Sequence, residues 1–189
     1  MRKINLANKV TILRIAAIVP LVFFLSFGGR VGKVLSLLIF IVASFSDWLD
    51  GWLARKMNEV SNTGKIIDPV ADKILVYSAL ICFVYLHLIP FWMVIILMGR
   101  DFLVMALRIQ LAYHKVVLAA NFVAKGKTVA EYVAILLIFV SLLWRKGSIQ
   151  VLLSNIAWAS LGIAVLLAVI SGIQYALKGR NNYLATDRR

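Results

Sequence analysis

Residues 47–72 read DWLDGWLARKMNEVSNTGKIIDPVAD. Four carboxylates punctuate this stretch: Asp47 and Asp50 are three apart, Asp68 and Asp72 four apart. On an α-helix either spacing puts both side chains on one face. Apolar runs over 34–55 and 65–87 hold the two pairs, with a polar segment from Asn58 to Thr63 between them. Each run is long enough for a helix that crosses the ~30 Å hydrocarbon core of a bilayer. So short a connection makes the two helices an antiparallel hairpin, which brings both acid pairs to one depth.

Four further apolar stretches can be drawn, over 11–28, 90–112, 127–144 and 149–176. Of the 189 residues 62% are hydrophobic, and the mean hydropathy is +0.93. A soluble domain is usually about 45–50% apolar, so lipid must be part of this chain's solvent. Open backbone groups cannot be satisfied in lipid, which leaves helices as the spanning element. The expected fold is therefore an all-α polytopic membrane protein with six transmembrane helices. Residues 1–8 mix basic, polar and apolar side chains and read as a short juxtamembrane segment on the inner leaflet. No linker or repeat divides the chain, so residues 1–189 read as a single domain. Cys82 is the one cysteine, and a disulfide framework or zinc site within the chain is excluded.

The 21 Lys and Arg outnumber the 8 Asp and Glu, for a net charge of +13. The basic residues lie between apolar runs rather than on one compact face, so the partner they imply is an anionic phospholipid bilayer, not a nucleic acid. Thirteen fall at the two termini and in the second and fourth connections, Lys125 and Lys127 among them; four fall on the other side. The positive-inside rule then puts both termini in the cytoplasm. The expected location is the cell membrane, with both acid pairs near its cytoplasmic face, which is where a site built on them would open.

Nine charges sit inside apolar stretches: Asp47, Asp50, Asp68, Asp72, Lys73, Arg100, Asp101, Arg108 and Glu131. A carboxylate at mid-span costs on the order of 2.5–3.5 kcal/mol, so such residues are functional candidates. Four clustered carboxylates repel, and the natural relief is a cation. All-oxygen ligation points to magnesium or manganese. Four carboxylates can hold two ions about 3.5–4 Å apart, as in phosphoryl-transfer enzymes. Gly51, Ala54 and Gly64 stand beside the acids, where small side chains either allow close helix packing or leave room for a nucleotide. Arg55 stands where it could meet a phosphate. The competing readings are a structural ion-pair network with Lys73, Arg100 and Arg108, and a small cation transporter that uses the buried acids as its path.

As D-x2-D-G-x2-A-R-x8-G-x3-D-x3-D, residues 47–72 match without departure the signature of the CDP-alcohol phosphotransferase family, which the chain resembles. The resemblance implies that Asp47, Asp50 and Asp68 are metal ligands. It implies that Asp72 completes the second metal site and acts as general base. Gly51, Ala54, Arg55 and Gly64 would contact the cytidine diphosphate part of a CDP-diacylglycerol substrate. It further implies a six-span bundle, a homodimer and two magnesium or manganese ions per site.

For the acceptor, Arg100 and Arg108 lie close to one helical face, and Lys125, Lys127 and Thr128 open the fifth span. Together they would make a cationic site for a phosphorylated alcohol. The stretches Asn8 to Arg14, Gly64 to Leu75, Arg100 to Arg108, Lys125 to Thr128 and Ser171 to Tyr175 resemble family members whose acceptor is sn-glycerol 3-phosphate. In those members Asn8 and Thr11 would help hold the nucleotide; an ordinary cap for the first helix accounts for them as well. Three residues depart from that pattern. Ala7 replaces a proline, Asp101 a glutamate, and Glu131 stands where glutamine is common. Asp101 keeps the charge on a shorter arm, which would alter a partnership with Arg100 or Lys127. Serine, inositol phosphate and phosphatidylglycerol are the alternative acceptors.

Overall fold

The computed structural model describes the backbone of residues 6–57, 64–113, 121–144 and 147–186, and the side chains of residues 12–46, 70–110, 121–144 and 147–177. Among the described residues there are six helices, α1 (Leu6–Phe27), α2 (Gly29–Met57), α3 (Gly64–Tyr85), α4 (Phe91–Tyr113), α5 (Phe122–Leu143) and α6 (Ser148–Thr186). Each expected apolar stretch coincides with one of them. Gly29–Ser46, Phe122–Leu143 and Ser148–Leu177 are long and apolar enough to cross a membrane; Ile12–Phe27 is a shorter apolar helix. In α3 and α4 the apolar runs are broken by Asp68, Asp72, Lys73, Arg100, Asp101 and Arg108.

Helix boundaries depart from expectation in four places, the first being α2, which begins at Gly29 rather than near residue 34 and so takes in Arg30 and Lys33. Residues 6–8 belong to the first turn of α1 rather than to a separate segment; residues 1–5 lie outside the described residues. α5 begins at Phe122, so Lys125, Lys127 and Thr128 stand inside the helix and not in a connection. The reason is Asn121, whose side-chain oxygen accepts the Val123 N–H at 3.2 Å and caps the helix. α6 continues to Thr186 and is 39 residues long, about 58 Å at 1.5 Å per residue. Its apolar run ends earlier because hydropathy marks where lipid ends, not where backbone hydrogen bonding stops.

The chain forms two compact units, Met1–Leu88 with Leu142–Arg145, and Ile89–Ser141 with Lys146–Arg189. In the first, α1 packs on both α2 and α3, and α2 also touches α3. α1 turns into α2 at Gly29, whose φ of 56° is the left-handed conformation that glycine adopts freely. The corner closes tightly: a Cβ on Gly32 would strike the Phe24 carbonyl oxygen, and one on Gly28 would lie 2.6 Å from the Gly32 Cα. Beyond the corner, buried Ser36 donates to the Leu21 carbonyl at 3.2 Å and ties α2 to α1. α2 buries Gly32, Ser36, Phe40 and Ala43 at steps of four and three. Asp47 and Asp50 continue that register. On α3 the buried stripe is Ala71, Leu75, Ala79 and Cys82, with Asp68 one turn earlier and Asp72 beside it. α3 ends in a Schellman turn around His87 (φ 57°), with Leu88 N–H to Phe83 C=O and His87 N–H to Val84 C=O, both 2.9 Å.

In the second unit α4 packs along α6. α6 buries Ala157, Leu161, Ala164, Ala168, Ser171 and Tyr175, a strict alternation of four and three. Such a 3.5-residue repeat is a coiled-coil seam, and its small residues let backbones approach. α4 follows with Leu97, Asp101 and Val104, and α5 with Lys127, Glu131, Ala134, Ile138 and Ser141. Ser160 donates to the Ala130 carbonyl at 2.8 Å and joins α6 to α5.

The corner and the open helix face make opposite predictions for one substitution. Gly32→Ala forces backbone apart and should cost about 1–3 kcal/mol. Gly162→Ala meets nothing within 4 Å and should be neutral or slightly stabilising. Thermal unfolding of both variants in the same detergent checks this.

Candidate functional site

Apolar residues give way to polar ones at one end of several stripes. In the first unit that end is the acid-bearing stretch of α2 and α3. Asp47, Asp50, Gly51, Ala54 and Arg55 lie on α2, Gly64 and Asp68 on α3, and Asn8 and Thr11 on α1. The side chains of these nine are outside the described residues. Asp72 is half-buried and engaged with neighbouring groups. Among the described residues no group of three metal-binding side chains stands together, because Asp72 is the only one of the four acids described. Two contacting helices whose acidic residues are all aspartates suit a hard divalent cation with oxygen ligands.

A cavity of about 290 Å³ opens between α1 and α2, walled by Leu13, Ala17, Leu38, Val42 and Ser46, with Arg14 among them. Arg14 is 4% exposed. It is a further charged residue inside the apolar stretches, absent from the nine that the sequence singles out. The signal available was its place at the end of the Asn8 to Arg14 stretch.

The second unit has a site with described side chains throughout. Lys127 is wholly buried, and its Nζ donates to Asp101 Oδ2 at 2.9 Å and to Glu131 Oε2 at 2.6 Å. The second oxygen of Asp101 takes Arg100 Nη1 at 2.9 Å. From the opposite side Arg100 Nε and Nη2 donate to Ser171 Oγ at 3.1 and 2.8 Å. A Cβ on Gly172 would lie 3.3 Å from Arg100 Cγ, so this glycine gives the arginine stem its place against α6. One turn on from Ser171, Tyr175 faces the same way. Its ring lies 5.7 Å from the Arg100 guanidinium carbon and 5.4 Å from that of Arg108, both within cation–π range. Its hydroxyl accepts from Arg108 Nη2 at 2.9 Å and from the Asn121 N–H at 3.2 Å. The Asn121 amide nitrogen in turn donates to Gln174.

The structure thus joins three of the five expected acceptor residues. Lys127 and Arg100 share Asp101, and Arg100 and Arg108 share Tyr175. Lys125 is exposed and lies over the Phe122 ring, 5.5 Å from its centroid. The Thr128 hydroxyl donates to the Ala124 carbonyl of its own helix at 3.2 Å. Lys127 is no loop cation, because two carboxylates hold it in the helix interior. The sequence reading did not assign Ser171, Tyr175, Asn121, Gln174 or Glu131 to this cluster; the Ser171 to Tyr175 resemblance was the one pointer to α6.

An all-helical, lipid-compatible chain with carboxylates on one helix pair and a cationic cluster on another defines a class that sequence comparison makes specific. The family profile described as CDP-alcohol phosphatidyltransferase matches residues 4–170, and the chain belongs to that family. It is similar to the CDP-diacylglycerol–glycerol-3-phosphate 3-phosphatidyltransferase of Bacillus subtilis (strain 168), 38% identical over 187 residues that cover 92% of this chain and 94% of that one. The protein of the same name from Rickettsia bellii (strain RML369-C) is 35% identical over 171 residues, covering 90% and 93%. That from Wigglesworthia glossinidia brevipalpis is 34% identical over 182 residues, covering 92% and 93%.

The two lysines of the Lys125 to Thr128 segment should separate cleanly. Lys127→Met leaves Asp101 and Glu131 buried without their shared cation and should destabilise by about 3–5 kcal/mol. Lys125→Met, at an exposed position, should change stability by less than about 0.5 kcal/mol. Unfolding midpoints in detergent test the contrast.

Proposed function

We propose that the protein transfers the phosphatidyl group of CDP-diacylglycerol to sn-glycerol 3-phosphate, giving phosphatidylglycerophosphate and CMP. The observation that carries this reading is the register of Asp47, Asp50, Asp68 and Asp72 on two contacting helices, in a chain whose relatives bear the name of that reaction. The four carboxylates would hold two divalent ions, magnesium or manganese, which when bound would supply charge neutralisation for the diphosphate. Gly51, Ala54 and Gly64 leave room for the cytidine diphosphate, Arg55 meets its phosphate, and Asn8 and Thr11 help to hold the nucleotide. Asp72 accepts the proton of the acceptor hydroxyl as that oxygen attacks the β-phosphorus. The bond between the β-phosphorus and the bridging oxygen breaks, and CMP leaves with that oxygen. No covalent enzyme intermediate is needed. Arg100 and Arg108 take the phosphate of the acceptor; Lys125 adds positive charge on the neighbouring helix, Lys127 acts on the site through Asp101, and Thr128 stands beside it in the first turns of α5. The apolar walls of the α1–α2 cavity suit a lipid tail.

The protein works as a homodimer in the cell membrane, with six spans, both termini cytoplasmic and the reaction at the cytoplasmic face. Thirteen basic residues at or near the helix ends of that side, against four on the other, support this orientation. Accessibility of single cysteines placed near residues 30, 60, 146 and 187 to a membrane-impermeant thiol reagent tests the orientation.

CMP release from CDP-diacylglycerol and magnesium in detergent, with glycerol 3-phosphate, serine and inositol phosphate compared in parallel, tests the reaction. Turnover is expected with glycerol 3-phosphate alone. Asp72→Asn should lower kcat by about 10²–10⁴, the usual contribution of a general base. Arg108→Ala should raise KM for glycerol 3-phosphate and leave that for CDP-diacylglycerol near its starting value. Turnover only with another alcohol would overturn the acceptor and keep the chemistry.

A further inference from the structure

Arg100 stands between two holds. Asp101 takes Nη1, and Ser171 takes Nε and Nη2. Three of the five guanidinium N–H donors are engaged in this way; the other two have no protein partner among the described residues. The side chain is only 11% exposed, with its stem set against Gly172. Its plane therefore has one orientation, with two donors left for a ligand. Two such charged donors suit the oxygens of a phosphate.

Asp101 is itself held. Its other oxygen takes Lys127, which is wholly buried and also bonded to Glu131. A row of contacts runs Glu131–Lys127–Asp101–Arg100–Ser171, across α5, α4 and α6. With both neighbours acidic and no exposed surface, the Lys127 ammonium is committed inward. Its counter-charge lets a carboxylate stay ionised and fixed in the helix interior, where an unpaired one would be costly.

We propose that Asp101, held by Lys127, and Ser171 are positioning residues for the acceptor. They preset the Arg100 guanidinium so that its two remaining N–H groups meet the phosphate of the phosphorylated alcohol without reorganisation. This proposal rests on the acceptor reading above. Preorganisation of this kind acts on the affinity for one substrate, because the freedom that Arg100 would lose on binding is already lost. A merely structural pair would instead lower stability and move neither KM selectively.

The test is steady-state CMP release by the full-length protein in detergent, with KM measured for each substrate separately. Asp101→Asn keeps the shape and removes the charge. It should raise KM for glycerol 3-phosphate about tenfold, in line with a lost charge-assisted hydrogen bond, with KM for CDP-diacylglycerol within about twofold. Asp101→Glu restores a carboxylate and should recover most of the loss. Ser171→Ala removes the opposite hold and leaves the buried charges intact, so it decides the matter if Asp101→Asn does not fold. It should also raise KM for glycerol 3-phosphate selectively, by several-fold. Absence of saturable turnover with glycerol 3-phosphate in the unsubstituted enzyme would sink the acceptor reading and this proposal with it. With that saturation present, an unchanged KM for glycerol 3-phosphate in the folded variants, or equal rises in both KM values, would overturn the positioning role alone.

Discussion

In an apolar solvent a helix keeps its backbone bonds to itself, so neighbouring helices meet only through side chains along one stripe. The rest of this structure depends on that constraint. α6 meets it with Ala157, Leu161, Ala164, Ala168, Ser171 and Tyr175, where small residues at a 3.5-residue repeat permit close approach. α4 and α5 bury stripes of the same rhythm. In the first unit the tight corner at Gly28 and Gly32 starts α1 and α2 close together. The candidate site residues lie on the same stripes. Asp47 and Asp50 continue the buried register of α2, and Asp101, Lys127, Glu131, Ser171 and Tyr175 occupy core positions of α4, α5 and α6. Residues that hold the helices together and the candidate site residues are successive steps of one pattern.

The cost of that economy falls on the buried charges. Lys125 and Lys127 are two residues apart on α5, yet one is exposed and the other has no exposed surface. Burial of an ammonium is tolerated only with good partners, and Asp101 and Glu131 supply them at 2.9 and 2.6 Å. Such an arrangement contributes little net stability, since desolvation offsets the attraction. What it supplies is a fixed geometry. Asp101 serves Lys127 with one oxygen and Arg100 with the other, so the geometry extends to the Arg100 guanidinium. Tyr175 extends it again, with its ring and hydroxyl between Arg100 and Arg108.

Much of this was legible in the chain as written. Six apolar stretches became six helices, because a run of apolar residues of that length has one stable backbone in lipid. The carboxylate register at 47–72 carried the family, and the family profile matches residues 4–170. Arg100 and Arg108, eight residues apart, were placed on one face by helical period alone, and they do share a partner. Boundaries were less legible. α5 starts at a capping asparagine that hydropathy does not weigh, and α6 outruns its apolar stretch by ten residues. Arg14 escaped notice because a lone cation near the start of an apolar run looks like an interfacial residue, whereas it is 4% exposed on the α1–α2 cavity.

By itself, then, the sequence determined what is periodic and local: helical character, the apolar faces, the register of the four acids, and the family. Those follow from spacings along one helix, which no neighbour can alter. Only the tertiary structure decided that Lys127 is buried between two carboxylates, that Ser171 and Tyr175 complete the surroundings of Arg100 and Arg108, and that Gly32 has no room for a methyl group. Each of these depends on which side chain lies across a helix interface. That is set by close packing between segments up to 71 residues apart in sequence, and no periodicity within either segment contains it.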